Sequence, residues 1–435
     1  MTTRLLQLRR KLLSNKLFMN TWWMLLGQGS RILIQAVYFI IIARVLGPQG
    51  FGAFVGVVSL MAILSQFTGL GTGLLMIKHV ARDQTSFPVF WGNALAVTIA
   101  SGLIMIGLSL GIAHLVFPTT ISLSLVLVIA FSDLLFLPLL DLSTLAFQSF
   151  EKMFWTSQLQ VVMSVLRMIF ALFLLFFDAQ PLPEDWGILY LIGTIVSAAI
   201  GFIMVTFKLG LPDLNLSRYY KEAKDGLYLC LSQLAQSIFN DADKSMMPRL
   251  SSVEAAGIYT SAYRIIDVSF TPIRSLLAAS MSRMFKYGEA GIEGVWSFAR
   301  KIILIGCALG AVTGVFLYFI APVMTYILGS SYQSSIFAIQ WLAVIPLFKA
   351  INYFAADMLT GSGYQGRRSF IQFTVGFISI VMNLILIPKF SWHGAVFMNI
   401  AANFLLAIGL WGAVINLRKQ ERRKPTAALY ESVSS

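Results

Sequence analysis

Residues 90–116 read FWGNALAVTIASGLIMIGLSLGIAHLV and contain no Asp, Glu, Lys or Arg. As an α-helix this stretch is about 40 Å long, more than the roughly 30 Å hydrocarbon core of a bilayer. It does not alternate apolar with polar positions, so it is not a strand of a transmembrane barrel. Comparable runs recur along the chain. Twelve spans are expected, at about 20–45, 52–77, 90–116, 121–147, 155–177, 187–207, 227–248, 256–281, 302–328, 335–360, 369–388 and 393–417. Of the 435 residues, 57% are hydrophobic and 12% charged, where a soluble domain carries about 25% charged residues. The mean hydropathy is +0.79. A soluble core stops growing near roughly 250–300 residues, so this composition excludes a secreted domain, a disordered chain and a cytosolic enzyme. The expected fold class is an all-α polytopic membrane protein.

The chain carries 32 Lys and Arg against 19 Asp and Glu, a net charge of +13. In a soluble protein that excess would point to nucleic acid. Here the basic residues sort by side instead. The N-terminal arm (Arg4, Arg9, Arg10, Lys11, Lys16), the loops after spans 2, 4, 6, 8 and 10, and the tail from Arg418 to Lys424 hold 23 of them. The opposite side holds Arg44, Arg249 and Lys389, and the segment after span 5 is acidic (Asp178, Glu184, Asp185). The positive-inside rule then places both termini in the cytoplasm and predicts a multi-pass membrane protein with an even number of spans. No nucleic-acid partner is expected. The start does not read as a cleavable signal, because its apolar run is too long for an h-region and is interrupted by Gln28, Arg31 and Gln35.

The longest polar stretch, about 208–226, divides the chain. The expected domains are an N-terminal bundle of spans 1–6 (1–208), a cytoplasmic linker (209–226) and a C-terminal bundle of spans 7–12 with a basic tail (227–435). A weak internal repeat agrees. Leu46-Gly47-Pro48-Gln49-Gly50-Phe51-Gly52 opens span 2, and the stretch from Leu250 to Gly257-Ile258-Tyr259 opens span 8. Each leads through an apolar span to a basic exit, Arg82 or Lys286. An even number of spans per half makes this a parallel repeat about an axis along the membrane normal.

The loops hold little chemistry, so function must lie in the spans. An ionisable residue at mid-span costs about 2.5–3.5 kcal/mol on insertion scales and is a functional candidate by default. Six are basic (Arg31, Arg167, Lys244, Arg264, Arg274, Lys349) and six acidic (Asp133, Asp141, Asp241, Asp243, Asp267, Asp357). Their spacing makes faces. Gln28, Arg31, Gln35 and Tyr38 form one stripe on span 1; Gln233, Gln236, Asn240 and Lys244 another on span 7, with Asp241 beside it; Arg264, Asp267, Thr271 and Arg274 a third on span 8. Such stripes either line a central aqueous cavity or serve as interhelical glue and local ion pairs, Arg264–Asp267 among them. Arg31 has no acidic residue in its own span, so it pairs across helices, with Asp133 at similar depth, or meets an anionic ligand; its planar fork suits phosphate oxygens. Asp133 and Asp141 serve as coupling carboxylates or as counter-ions. The sequence has no phosphate-binding loop and no zinc-protease motif. Cys230 and Cys307 sit in apolar runs, and His79, His114 and His393 lack ligand spacing. No metal, cofactor or disulfide framework is expected.

Three motifs carry a family resemblance. Ala43-Arg44-Val45-Leu46-Gly47-Pro48-Gln49-Gly50-Phe51-Gly52 resembles the opening of span 2 in the polysaccharide-biosynthesis, Wzx-type O-antigen flippases. Asn240-Asp241-Ala242-Asp243-Lys244 with Gly257-Ile258-Tyr259-Thr260-Ser261-Ala262-Tyr263-Arg264 is similar to a second motif of that family, and Asn383-Leu384-Ile385-Leu386-Ile387-Pro388 with His393-Gly394-Ala395 to a third. The third departs at Phe390-Ser391-Trp392-His393, where a glycine-containing turn is usual. The resemblance implies the fold of the multidrug/oligosaccharidyl-lipid/polysaccharide superfamily, two six-helix bundles around a central cavity. It implies a transporter rather than an enzyme, one that flips an undecaprenyl-diphosphate-linked oligosaccharide to the periplasmic leaflet by alternating access. Its expected partners are the lipid-linked substrate, the bilayer, H+ or Na+ as coupling ion, and a polysaccharide polymerase of the same pathway. On that reading Arg31, Arg264, Arg274, Gln28, Gln35, Asn240 and Lys244 contact substrate, and Asp133, Asp141, Asp241 and Asp267 are coupling carboxylates or counter-ions. A cation-coupled multidrug exporter of the superfamily is the alternative. A membrane polymerase or ligase would need a large basic outer loop that this chain lacks.

Overall fold

The computed structural model describes residues 16–177, 180–215, 223–288 and 291–433. The basic arm residues Arg4, Arg9, Arg10 and Lys11, the linker residues Arg218 and Lys221, and Asp178 lie outside the described residues. Among the described residues the regular structure is helical, with no strand. Nine helices are long and apolar enough to cross a membrane among the described residues. One of them, Leu26–Val80, has 55 residues, about 80 Å of helix, and covers the first two expected spans. It turns at Gly47 (φ 64°, ψ 177°). Glycine tolerates that conformation and Pro48, which lacks an amide hydrogen, restarts the helix.

The positions of spans 7 and 8 are helical too, as Ala223–Leu250 and as Val253–Ser269 followed by Thr271–Gly288. They are not among the nine apolar spans, because Asp241, Asp243, Lys244, Arg264, Asp267 and Arg274 interrupt their apolar character. The polytopic all-α class therefore holds, while the count of twelve rests on reading these polar helices as spans.

The chain divides into two compact units, Met1–Ser237 and Ile238–Ser435. The division falls inside the helix Ala223–Leu250, downstream of the polar linker. Residues Gly210–Asn215 of that linker fold back on the start of the helix Phe87–Val116. Asp213 N donates to Pro88 O (2.8 Å), and the Asn93 side chain pairs with both backbone groups of Asn215, accepting at 2.9 Å and donating at 2.8 Å. The Asn93 amide thus substitutes for a strand's backbone, and the first part of the linker belongs to the first unit.

Each unit packs its own core. In the first, Phe87, Trp91, Phe147, Leu159 and Met76 are buried together. In the second, Phe354, Ile292, Val295 and Leu410 form one cluster and Tyr259, Ile266, Ile345 and Ile387 another. The outward faces are apolar as well: Phe207 is 86% exposed and Leu115 78%. That inversion is what a bilayer requires, since lipid solvates apolar side chains as well as a protein core does. Glycine sets one close approach that matters below. A Cβ on Gly102 would lie 2.5 Å from the Leu134 carbonyl oxygen, so only glycine lets the helix Phe87–Val116 meet the backbone beside Asp133.

The departure in the third motif has a simple outcome. Ser391, between the helices Gln365–Phe390 and Trp392–Val433, holds φ 55° and ψ −141°, a glycine-type conformation. Its hydroxyl is 2.7 Å from that of Ser251. The turn a glycine would make is made by a strained serine.

Candidate transport site

In the first unit the helix carrying both carboxylates is not uniform. Leu123–Phe131 passes into a π-helical turn, Ser132–Phe136, and then into Leu137–Ser149 with Pro138 in its first turn. Such a turn inserts an extra residue and commonly marks a functional site. A straight helix would put Asp133 and Asp141 about 80° apart; the π turn and Pro138 break that phase, and both residues line one cavity. Asp133 is buried, 5% exposed. Ser132 Oγ lies 3.0 Å from both Asp133 Oδ1 and Thr194 Oγ1, and Tyr190 OH donates to Asp133 Oδ2 at 3.4 Å. Arg167, equally buried, donates to Thr194 Oγ1 at 3.1 Å, and its guanidinium stacks 3.8 Å above the Tyr190 ring.

The electrostatic partner of Asp133 is therefore Arg167 rather than Arg31. Arg31 is half-buried and donates to Gln160 Oε1 at 2.9 Å, and its charge acts on Asp141. Along the span 1 stripe exposure falls from Gln28 (exposed) through Arg31 and Gln35 (half-buried) to Tyr38 (buried). The span 7 stripe grades the same way, from exposed Gln233 through Asn240 to buried Lys244.

Span 2 is interrupted over Ser65–Gly71. Thr68 is extended (φ −76°, ψ 130°), and Gly69, Leu70 and Gly71 all have positive φ, before the helix Thr72–Val80 resumes. Gly69 N is satisfied by Ser101 Oγ at 2.8 Å, and Thr72 Oγ1 donates to Gly69 O at 2.7 Å. The break borders a cavity of about 250 Å³ lined by Thr68, Thr72, Thr98, Asp133, Asp141 and Gln233 among others. Irregular backbone in a membrane protein is tolerated where protein buries it or where it lines such a cavity.

In the second unit, Lys244 Nζ donates to Asp241 Oδ1 (2.9 Å) and Asn240 O, and Lys349 Nζ donates to Asp267 Oδ1 (2.6 Å). Both lysines are buried. The Tyr263 ring lies against both, 4.3 Å from Lys244 Nζ and 4.7 Å from Lys349 Nζ. Asp243 accepts a short bond from Tyr259 and one from Asn399, which continues to Asn403 and Asn352. The expected Arg264–Asp267 pair gives way to Lys349–Asp267, and Arg264 is exposed, as is Arg274. Neither arginine has an ion-pair partner within 4.0 Å among the described residues.

Tyr190, Thr194, Tyr259, Tyr263 and Asn399 complete these networks and were not singled out as site residues from the sequence. Their signal was present: Tyr190 and Thr194, and Tyr259 and Tyr263, are four apart, and Asn399 and Asn403 are spaced alike inside an apolar span.

The family described as Polysaccharide biosynthesis protein matches residues 17–275, more than half of the chain. The chain belongs to that family. A relative in Escherichia coli (strain K12), named "Putative O-antigen transporter", is 22% identical over 423 residues, covering 93% of this chain and 96% of its own length. Among solved structures, the family member shares its fold with an inward-facing MATE family multidrug resistance transporter of the MOP superfamily (TM-score 0.74, 18% identity, 89% of this chain and 96% of that one). It is equally similar to the lipid II flippase MurJ in an inward closed conformation (TM-score 0.74, 12% identity, 90% and 87%). The MOP-superfamily fold expected from the motifs is thus present, and the proteins this family member resembles are transporters and flippases.

Proposed function

We propose that the protein is a MOP-superfamily transporter that moves a polyprenyl-diphosphate-linked oligosaccharide from the cytoplasmic to the periplasmic leaflet by alternating access between two bundles, coupled to an ion gradient. Family membership and the O-antigen and lipid II relatives support the substrate class. One observation carries the reading. In the second unit the lysines are matched by carboxylates, while Arg264 and Arg274 stay exposed and without an ion pair among the described residues. Two such arginines offer planar donor forks to a diphosphate. A cationic-drug exporter with its site in this unit would need the reverse, free carboxylates, and there Asp241 and Asp267 are engaged.

Arg31 adds a third cation, and Gln28, Gln35 and Asn240 offer amides to sugar hydroxyls. The proposed topology has twelve spans with both termini in the cytoplasm. In a background lacking Cys230 and Cys307, a Cys at exposed Ser331 should react with an impermeant thiol reagent in whole cells, and one at exposed Asp213 only after lysis. The function itself is tested by complementation of a flippase-null strain. Arg264→Ala/Arg274→Ala should reach the membrane in normal amount and fail to restore surface polysaccharide; full export by this variant would end the reading.

A further inference from the structure

We propose that the interruption of span 2 is a binding site for a monovalent metal cation of sodium's size, held by the Asp141 carboxylate and the hydroxyl and side-chain amide oxygens around the break. The site deepens the ion-coupled reading above by naming where the ion sits.

The break brings oxygen donors together. Non-helical torsions at Thr68, Gly69 and Leu70 interrupt the backbone ladder beside the cavity. Thr72 Oγ1 spends its proton on Gly69 O, which leaves its lone pairs as acceptors. Gln66 donates its amide nitrogen to Ala62 O at 3.0 Å, keeping its amide oxygen uncommitted to that bond.

A second observation points to an occupant. Thr98 is only 2% exposed and lines the cavity. It faces the break: a Cβ placed on Gly69 would lie 2.9 Å from Thr98 Oγ1. Thr68 Oγ1, on the break itself, is buried without a partner among the described residues. Buried hydroxyls are normally satisfied, and the orphaned Thr68 hydroxyl, with Thr98 lining the same cavity, indicates a ligand that takes its oxygen.

The chemistry selects the ligand. Hydroxyl, amide and carboxylate oxygens are hard donors. A proton would need only the carboxylate, whereas neutral oxygens surround this one. Charge argues against a divalent ion. Asp133 is already bound by Ser132 and Tyr190 beside Arg167, and the charges acting on Asp141 are Arg31, Arg167 and Asp133. Among the described residues no group of three or more His, Cys, Asp or Glu is placed to hold a metal ion. The cavity, at about 250 Å³, exceeds a bare sodium ion, so water, at about 30 Å³ each, completes the shell. Glycine at position 71 is fixed by a different contact, since a Cβ there would lie 2.5 Å from Gly226 O.

The test is binding of radioactive Na+ to the full-length protein in nanodiscs, at ionic strength held constant with N-methyl-D-glucamine chloride. Saturable binding near one ion per chain is expected. Asp141→Asn should weaken it more than tenfold and Thr98→Val by roughly tenfold, each tenfold being one missing ligand's worth. Asp357→Asn, in the second unit, should leave it unchanged. No saturable binding by folded wild type, or unchanged affinity in Asp141→Asn, overturns the site. Should Asp141→Asn not fold, unchanged affinity in Thr98→Val overturns it instead. Complementation separates the two readings: export by a wild-type protein that binds no Na+ removes the site and keeps the flippase, while Na+ binding without export does the reverse.

Discussion

The two units stabilise buried cations by different means. In the first, Arg167 rests on the Tyr190 ring and donates to Thr194, with Asp133 reaching the same ring of contacts through Ser132 and the Tyr190 hydroxyl. In the second, Lys244 and Lys349 each meet a carboxylate directly, with Tyr263 between them. A tyrosine ring serves in both, because a π-face stabilises a desolvated cation. The difference follows from the cation. A guanidinium spreads its charge over a planar fork and can be held by several neutral acceptors, whereas an ammonium is a point charge that needs an anion close by. The first unit therefore behaves as a cooperative network, and the second as paired charges whose members depend on one another.

The largest effect expected from that contrast is in the second unit. Asp267→Asn strands a buried lysine and should cost about 3 kcal/mol, since removing one partner of a buried pair leaves the other uncompensated. A thermal melt in nanodiscs measures it, and Asp267→Asn/Lys349→Met should recover most of the loss. A double mutant no better than the single would show that the pair is not the unit of stability.

Next come the exposed arginines. Arg264→Ala and Arg274→Ala should each change stability by less than about 0.5 kcal/mol, as surface substitutions do. Each should weaken capture of a diphosphate roughly ten- to a hundredfold, the worth of one charge-assisted bond. Titration of purified protein with a polyprenyl diphosphate separates the two effects, and an equal loss of stability and binding would place the arginines in the paired class with the lysines.

In the first unit, Thr194→Val removes one acceptor from Arg167 and one partner from Ser132. A cost of about 1–2 kcal/mol is expected, smaller than that of Asp267→Asn because the other contacts persist; a melt comparing the two variants decides it. The smallest effect is favourable. Ser391→Gly relieves a positive-φ serine and should stabilise the second unit by about 1 kcal/mol, read as a rise in the same melt. A fall would mean that the Ser251–Ser391 contact outweighs the strain.

Much of this was legible in the chain. The apolar runs are helices, and the stripes on spans 1 and 7 fall on graded faces because a period of 3.6 places them there. The turn at Gly47-Pro48 shows in residues that favour such a turn. The pairing was not legible. Asp267 has Arg264 three residues away, yet its partner is Lys349, 82 residues on. Asp133 could be matched to Arg31 or to Arg167 from the sequence, and only the fold selects Arg167. The break at Ser65–Gly71 left a trace, Gly69, Gly71 and Gly73 in five residues, but glycine in a membrane span marks close packing as often as a break.

Sequence alone determined that this chain spans a bilayer many times, which of its faces are polar and which charges lie within the spans, because hydrophobic length and helical period are local properties. Only the tertiary structure decided which charges meet, that the helix of Asp133 takes a π turn, and that Thr98 and Asp141 border the same cavity. Those outcomes depend on which helices are neighbours and how far each is rotated, and both are set by packing between residues far apart in the chain.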